Sequence, residues 1–176
     1  MRGLYWEEWE PGREWESPAR TIGEAEISAY AGLSGDYNPL HINEEYARTT
    51  VFGTRIAHGP LVYAIAAGLL FQLHLYDDTL IAFLGFDSLK FTGPVRAGDT
   101  IRARIKVLDR RETSRPDRGI VRRELHVFNQ RDECVQEAEQ VFLIRRNPHP
   151  DPLPQAREGS EGSPLPRMGD GQGEGT

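Results

Sequence analysis

Residues 60–73 read PLVYAIAAGLLFQL and give the clearest indication of the fold. Its apolar residues occupy every side of a helix, and several of them are alanine or glycine, whereas a surface helix would carry a polar stripe. The pattern predicts a helix that is buried on all sides and closely approached by neighbouring backbone. The apolar run, residues 61–71, is much shorter than the roughly 20 residues that span a bilayer, so we expect no membrane segment.

Downstream of this helix the hydrophobic period changes to two residues. Over residues 101–107 apolar side chains alternate with Arg102, Arg104 and Lys106, as in an antiparallel strand with one face in the core. Further strands are predicted over residues 80–91, 121–129 and 137–146, with turn residues at 115–119. A buried helix followed by a meander predicts an α+β fold whose sheet wraps around the helix. Because an isolated sheet leaves an open edge, we expect at least a dimer.

A first helix is predicted upstream of the buried one. Thr21 is a suitable N-cap, because Glu24 follows three residues later and an apolar face begins after it. Gly32 and Gly35 predict where this helix ends.

Composition places the chain among globular proteins of a reducing cytoplasm. It has 176 residues, a net charge of −6 and one cysteine, Cys134, which excludes an intrachain disulfide. An N-terminus that turns acidic at once predicts no secretory signal, and the acidic balance disfavours nucleic acid and anionic lipid as partners. Residues 147–176 hold six prolines, six glycines and no aromatic residue, which is typical of a disordered tail. We therefore expect one folded domain, residues 1–146.

Candidate catalytic residues lie between the two predicted helices. Asp36 and His41 are separated by the rigid pair Asn38-Pro39, which predicts a turn that directs both side chains the same way. A carboxylate so placed can deprotonate a shared water while the imidazole orients it. The spacing alone is explained more often without catalysis, with Asp36 in an Asx turn and His41 hydrogen-bonded near a helix start.

A second candidate element is His58-Gly59-Pro60, at the start of the buried helix. Glycine before a proline at the first helical position presents backbone N–H groups and the positive helix end to a developing oxyanion. A plain helix cap explains the glycine as well. We expect a structural role for His58, and no metal site, because neither a nearby cysteine nor a histidine at i+4 supplies a third ligand.

The residues from Tyr30 to Gly59 resemble the signature of the MaoC-like dehydratases, also called (R)-specific enoyl-CoA hydratases. That pattern, approximately YAxxSGDxNPxHxxxxxA followed by FGxxIAHG, is matched by SGDYNPLH at residues 34–41 and by FGTRIAHG at residues 52–59. The resemblance is compatible with residues 10–146 and does not cover the tail.

This resemblance implies a hot-dog fold and a homodimer whose sheets join edge to edge. It implies that Asp36 and His41 are the catalytic pair and that the Gly59 backbone N–H binds a thioester carbonyl. Asn38 would steady the loop between them. The implied reaction is reversible addition of water across the 2,3 double bond of a trans-2-enoyl thioester, giving an (R)-3-hydroxyacyl thioester. Coenzyme A would be part of the substrate, and no metal or other cofactor is implied.

The resemblance also raises the question of substrate contacts. Phe52 and Tyr63 are candidate pocket residues, and Pro60 stands where many members have a larger residue, which bears on substrate preference. Strand cations are candidate partners of the coenzyme A phosphates, although a solvated strand face explains them equally well. They are Arg102, Arg104, Lys106, Arg122 and Arg123.

The sequence leaves acyl chain length, the carrier and the pathway open.

Two other functions occur on the same fold or suit such a chain. An acyl-CoA thioesterase often carries a catalytic carboxylate on the central helix, but residues 60–75 contain no acid. A non-catalytic acyl-thioester-binding subunit is disfavoured by the presence of both Asp36 and His41.

Overall fold

The computed structural model describes residues 2–148, so the predicted tail lies outside the described residues from position 149 onward. A short 3-10 turn, Trp6–Glu8, precedes the first strand. The elements that follow are β1 (Glu14–Glu16), β2 (Arg20–Thr21), α1 (Glu24–Ser34), α2 (Pro39–Ile42), α3 (Glu44–Arg48), α4 (Gly59–Phe71), β3 (Leu80–Phe91), β4 (Thr100–Glu112), β5 (Arg118–Phe128) and β6 (Cys134–Arg145).

The strands form one antiparallel sheet in the order β1-β4-β5-β6-β3, and β2 pairs with β4 beside β1. The four long strands are those predicted from the alternation, joined as β4 with β5, β5 with β6 and β6 with β3. The sequence did not predict β1 and β2, because two or three residues are too few to show a period. An α+β fold with an antiparallel sheet is thus confirmed.

Alternation along β4 builds one wall of the core. The apolar side chains of residues 101–107 are all at most 1% exposed, and they join the buried residues of α4 in a single cluster. On the opposite face Arg104 pairs with Glu16 at 2.8 Å and Lys106 with Glu14 at 3.5 Å, across the β1–β4 pairing. The period of two therefore separates the core from an ion-paired outer surface.

Helix α4 lies on the sheet, but the prediction of burial on every side is wrong for a single chain. Ala64, Gly68 and Phe71 are exposed, because the sheet covers the other side of the helix. The side that packs on the sheet carries the buried residues Leu61, Val62, Ile65, Ala66, Leu69 and Leu70. In the described part of the chain no helix has the length and hydropathy of a membrane span.

The N-cap of helix α1 lies two residues later than predicted. Its N-cap is Gly23, whose N–H donates to Glu26 Oε2 at 2.8 Å. The prediction of Thr21 as the cap is wrong, because Thr21 belongs to β2 and its hydroxyl hydrogen bonds Thr100 at 2.7 Å. Gly35 ends the helix at φ +75°, in the left-handed region that favours glycine.

Candidate active site

The segment between α1 and α2 is shaped by its own side chains. Ser34 Oγ accepts the Asp36 N–H at 3.2 Å, and Asp36 Oδ1 accepts the Asn38 N–H at 3.2 Å. Asn38 Oδ1 accepts the Leu40 N–H at 3.0 Å and so caps α2, with Pro39 at the first helical position. Asp36 therefore makes an Asx turn through one oxygen, which leaves the other oxygen available for chemistry.

His41 is held by the segment that leads into α4. Its Nδ1 lies 2.8 Å from the carbonyl oxygen of Ile56. Since a carbonyl only accepts, Nδ1 carries the proton in this arrangement, and Nε2 is left with a free lone pair. The Ile56 N–H also donates to the Leu40 carbonyl at 3.4 Å, so α2 and the residues before α4 are joined twice.

Three side chains meet where α4 begins. Ligand atoms of Asp36, His41 and His58 all lie within 4.8 Å of one another. The Asp36 carboxylate and a ring nitrogen of His41 are thus at most 4.8 Å apart. One water molecule, at about 2.8 Å from each, can bridge a separation up to this size. The Asp36 side chain is 53% exposed, so solvent reaches it. The predicted pair is thus brought together in a geometry that suits a shared water.

Gly59 is the first residue of α4, where backbone N–H groups have no carbonyl four residues earlier within the helix. None of the hydrogen bonds within residues 2–148 uses the Gly59 N–H, and Pro60 has none to offer. A Cβ built on Gly59 would lie 2.5 Å from Cε1 of Phe91. With the Phe91 ring in this position there is no room for a Cβ at position 59, so a larger residue there would displace the ring.

A pocket of about 190 Å³ opens beside these residues. Most of its lining is apolar, with one imidazole and one amide side chain. The lining residues are His41, Ile56, Ala57, Gly59, Val62, Phe91, Gly93, Pro94, Val95, Val135 and Gln136. Phe91 and Gln136, on strands far along the chain, were not found by sequence reasoning, because nothing near them in sequence indicates a site.

Asp36, His41 and His58 also lie close enough together to hold a metal ion. Asp36 is the third possible ligand, which the sequence had not indicated. However, the two imidazole planes are inclined by only 29° and their centroids are 3.7 Å apart. The two rings therefore stack face to face. His58 Nδ1 is buried, and His41 Nδ1 and His58 Nε2 each face a backbone carbonyl oxygen. This donor set fits a metal poorly, and the lack of a metal stays a prediction.

Glu44, at the start of α3, fastens the residues that lead into α4. Its carboxylate accepts the Thr54 hydroxyl at 2.9 Å and the Arg55 N–H at 3.3 Å. Arg55 also pairs with Glu24 of α1 at 2.7 Å. The hydrogen bond from Thr54, followed by those from Arg55, lowers the pKa of Glu44. Sequence reasoning did not identify this anchor, which connects α1, α3 and the approach to α4.

Phe52 and Tyr63, the two residues predicted to line the substrate pocket, lie outside the lining described above. The Phe52 carbonyl accepts Arg96 Nη2 at 3.1 Å. The Tyr63 hydroxyl accepts Gln140 Nε2 at 3.1 Å, and burial raises the pKa of Tyr63. Their assignment as substrate contacts stays a prediction.

The strand cations proposed for phosphate binding are engaged elsewhere. Arg102 pairs with Asp132 at 2.7 Å, and Arg122 contacts three carboxylates within 3.0 Å. Arg123 is 3% exposed on the inner face of the sheet. These contacts favour the interpretation of a solvated strand face for Arg102 and Arg122, and they remove Arg123 from the surface.

Comparison with known proteins agrees with this geometry. The family described as the MaoC like domain matches residues 8–127. An (R)-specific enoyl-CoA hydratase from Rhodospirillum rubrum is 48% identical over 91 residues, which are 52% of this chain and 61% of that protein. An (R)-specific enoyl-CoA hydratase from Aeromonas caviae is 37% identical over 112 residues, 64% of this chain and 78% of that one. The chain thus spans less than two thirds of the Rhodospirillum protein.

Solved structures show the same architecture. The unliganded R-hydratase from Pseudomonas aeruginosa superposes with a TM-score of 0.67 at 31% identity, covering 89% of this chain and 97% of that one. A double hot-dog protein from Mycobacterium tuberculosis matches with a TM-score of 0.74 at 22% identity, covering 86% of this chain and 47% of that one, and shows the fold. With its sheet wrapped on α4, its Asp-Asn-His segment and a family match over most of its length, the chain belongs to the MaoC-like domain family.

Proposed function

We propose that this chain hydrates a trans-2-enoyl thioester, with coenzyme A as the carrier, to an (R)-3-hydroxyacyl thioester, reversibly. The observation that carries the proposal is the approach of Asp36 and His41 to within 4.8 Å, beside the free N–H of Gly59. The names of the Rhodospirillum and Aeromonas relatives support it. We place the reaction in fatty acid metabolism.

Gly59 would act on the carbonyl of the substrate. When the thioester oxygen approaches the Gly59 N–H, the positive end of α4 stabilises negative charge that moves onto that oxygen. The β-carbon becomes electrophilic as a result. The apolar lining from Val62, Val95 and Val135 suits a hydrocarbon chain.

Asp36 and His41 would handle the water. The Asp36 carboxylate takes one proton as the water oxygen attacks the β-carbon, and His41 orients the water through the free lone pair of Nε2. The proton taken from water then passes from the Asp36/His41 pair to the α-carbon. One water molecule thus supplies the hydroxyl group and the new hydrogen. Asn38 would keep Asp36 in place through its N–H and cap α2.

The test is incubation of the full chain with crotonyl-CoA. We expect loss of the enone absorbance without release of free thiol, and a product that chiral chromatography identifies as (R)-3-hydroxybutyryl-CoA. The matched control is Asp36→Asn, which preserves the shape of the side chain and removes the base.

Two other outcomes would replace the proposal. Release of free thiol would indicate a thioesterase, even though α4 carries no acid. Saturable binding of crotonyl-CoA without any turnover would indicate a non-catalytic acyl-thioester-binding subunit.

A homodimer joined through β3 is also proposed. This strand is an edge of the sheet, and large apolar side chains along it are 37–54% exposed. Exposed edges with such side chains pair readily with another chain. The residues are Phe83, Leu84, Phe86, Leu89 and Phe91.

Light scattering at micromolar concentration tests the dimer. We expect twice the mass of one chain for the wild type and a monomeric mass for Leu84→Lys. Val51→Lys, at an exposed position far from β3 in sequence, is the control and should stay dimeric. A monomeric wild type would contradict the proposal.

A cytoplasmic location is proposed from the single free cysteine, Cys134. Cell fractionation tests it, with hydratase activity expected in the cytosolic fraction.

A further inference from the structure

His58 contacts both members of the proposed catalytic pair without reaching the pocket. Its side chain is 1% exposed, and it is absent from the residues that line the pocket. Yet its Nε2 lies 3.0 Å from the backbone carbonyl oxygen of Asp36, and its ring stacks on that of His41 with centroids 3.7 Å apart. A buried ring in this position touches the groups that would react but does not touch substrate.

The hydrogen bond of His58 to Asp36 indicates which of its ring nitrogens is the donor. The Asp36 carbonyl can only accept, so Nε2 carries the hydrogen. Nδ1 is buried and has no partner among the described residues. His58 is therefore a hydrogen-bond donor to the backbone of Asp36.

The position of the Asp36 backbone is otherwise set by local contacts. Its N–H bonds Ser34 and its carboxylate bonds the Asn38 N–H, all within one turn of chain. The bond from His58 connects this turn to a residue that is 22 positions later in the chain. His58 is also the N-cap of α4 and directly precedes Gly59.

We propose that His58 is a positioning residue that fixes Asp36 and His41 relative to the Gly59 N–H. The inference deepens the proposed hydration and rests on it. One ring holds the carbonyl of the base, supports the face of the orienting imidazole and is bonded through the chain to the oxyanion donor. A displacement of about 1 Å within such a unit lowers turnover by up to about a hundredfold.

The test compares His58→Leu with His58→Gln. Leucine fills the space but cannot donate, whereas the glutamine amide restores an N–H near the position of Nε2. We expect His58→Leu to lower kcat with crotonyl-CoA at least about tenfold, with KM changed less than about threefold. His58→Gln should recover most of this loss. His74→Leu, which removes an exposed histidine paired with Asp77, is the control and should turn over normally.

A double variant separates positioning from a merely structural role. If His58 acts through Asp36, adding His58→Leu to Asp36→Asn lowers kcat by no more than about twofold further. Independent losses that multiply, or His58→Gln as impaired as His58→Leu, would overturn the inference. So would a His58→Leu protein that melts earlier yet keeps the wild-type kcat.

Two structural measurements decide the inference independently of turnover. Nitrogen-15 NMR of the wild type should show His58 as the Nε2–H tautomer, and a crystal structure of His58→Leu should show the Asp36 carbonyl displaced relative to Gly59. An unmoved carbonyl would contradict the inference. A wild type that hydrates no enoyl thioester would instead contradict the proposed function.

Discussion

Two regions of the molecule hold polar side chains in place by different means: the junction that contains Asp36, His41 and His58, and the sheet of residues 80–145. In the junction nearly every such group bonds a backbone atom, as His41 does with Ile56 and His58 with Asp36. On the outer face of the sheet the polar groups pair with each other, as Arg122 does with Asp87, Asp109 and Glu139. Bonds to backbone define where a side chain lies, whereas exposed ion pairs contribute little to stability or position.

The inner face of the sheet holds the exception. Arg123 is 3% exposed, donates from Nε to Gln140 at 3.0 Å and lies over the Phe142 ring at 4.4 Å. No carboxylate pairs with it in the described part of the chain, and burial lowers its pKa to about 9. We therefore expect the junction to govern turnover and the sheet to govern stability.

The strongest test of this division removes the proposed pair. Asp36→Asn and His41→Ala should each lower kcat at least about a hundredfold, because each removes a general acid–base group. Both should melt within a few degrees of the wild type, since these side chains contribute little to the core. Steady-state kinetics with crotonyl-CoA and thermal unfolding provide the two measurements. Near-normal turnover by either purified variant would exclude it from the catalytic pair.

Arg123→Met should change the stability of the protein but not its turnover. Below pH 9 the guanidinium is charged in both states, so its burial opposes folding, and an apolar side chain of similar length should stabilise the protein by about 1–4 kcal/mol. Above the folded pKa of about 9, the folded chain releases a proton from Arg123 that the unfolded chain keeps, because burial lowers the pKa only in the folded state. Wild-type stability should therefore rise relative to the variant as pH increases above 9.

Denaturant unfolding of both proteins from pH 7 to pH 10 measures this difference. Arg122→Met is the matched control, because Arg122 is exposed and paired with three carboxylates. Its difference in stability from the wild type should not change with pH in this way. A difference between wild type and Arg123→Met that stays constant with pH would contradict the prediction.

Gly119→Ala should destabilise the sheet without slowing catalysis. A Cβ at Gly119 would lie 2.4 Å from Nε1 of Trp6, which donates to the Ile120 carbonyl at 3.0 Å. The indole must move and its buried hydrogen bond is strained, which should cost about 1–3 kcal/mol. Chemical denaturation should show the loss while kcat with crotonyl-CoA stays within twofold of the wild type. A large fall in kcat of the folded variant would show that the two regions are coupled.

The smallest effect is expected on the outer face of β4. Arg104→Ala removes an ion pair with Glu16 at 2.8 Å, where both side chains are at least 40% exposed. The free energy of unfolding should fall by less than about 1 kcal/mol, and less in high salt. A larger loss, measured by denaturant titration, would mean that this surface contributes more to the free energy of unfolding than its exposure suggests.

Sequence predicts this architecture best where a hydrophobic period continues over many residues. The alternation over residues 101–107 predicts both the strand and the face that is buried, because a strand has only two faces. The prediction of Thr21 as a helix cap is wrong, because its hydroxyl bonds Thr100, which lies far along the chain. The apolar surface of α4 predicts burial, but only part of that surface is covered within one chain.

The four long strands, the central helix and the Asp36-Asn38-His41 turn could be predicted from sequence, since these depend on neighbours a few residues away. Three features emerge only in the folded chain: His58 stacks on His41, Phe91 approaches Gly59, and Arg123 is buried without a carboxylate partner among residues 2–148. Such contacts join residues that are distant in the chain. They depend on strand register and helix placement, which local propensity does not specify.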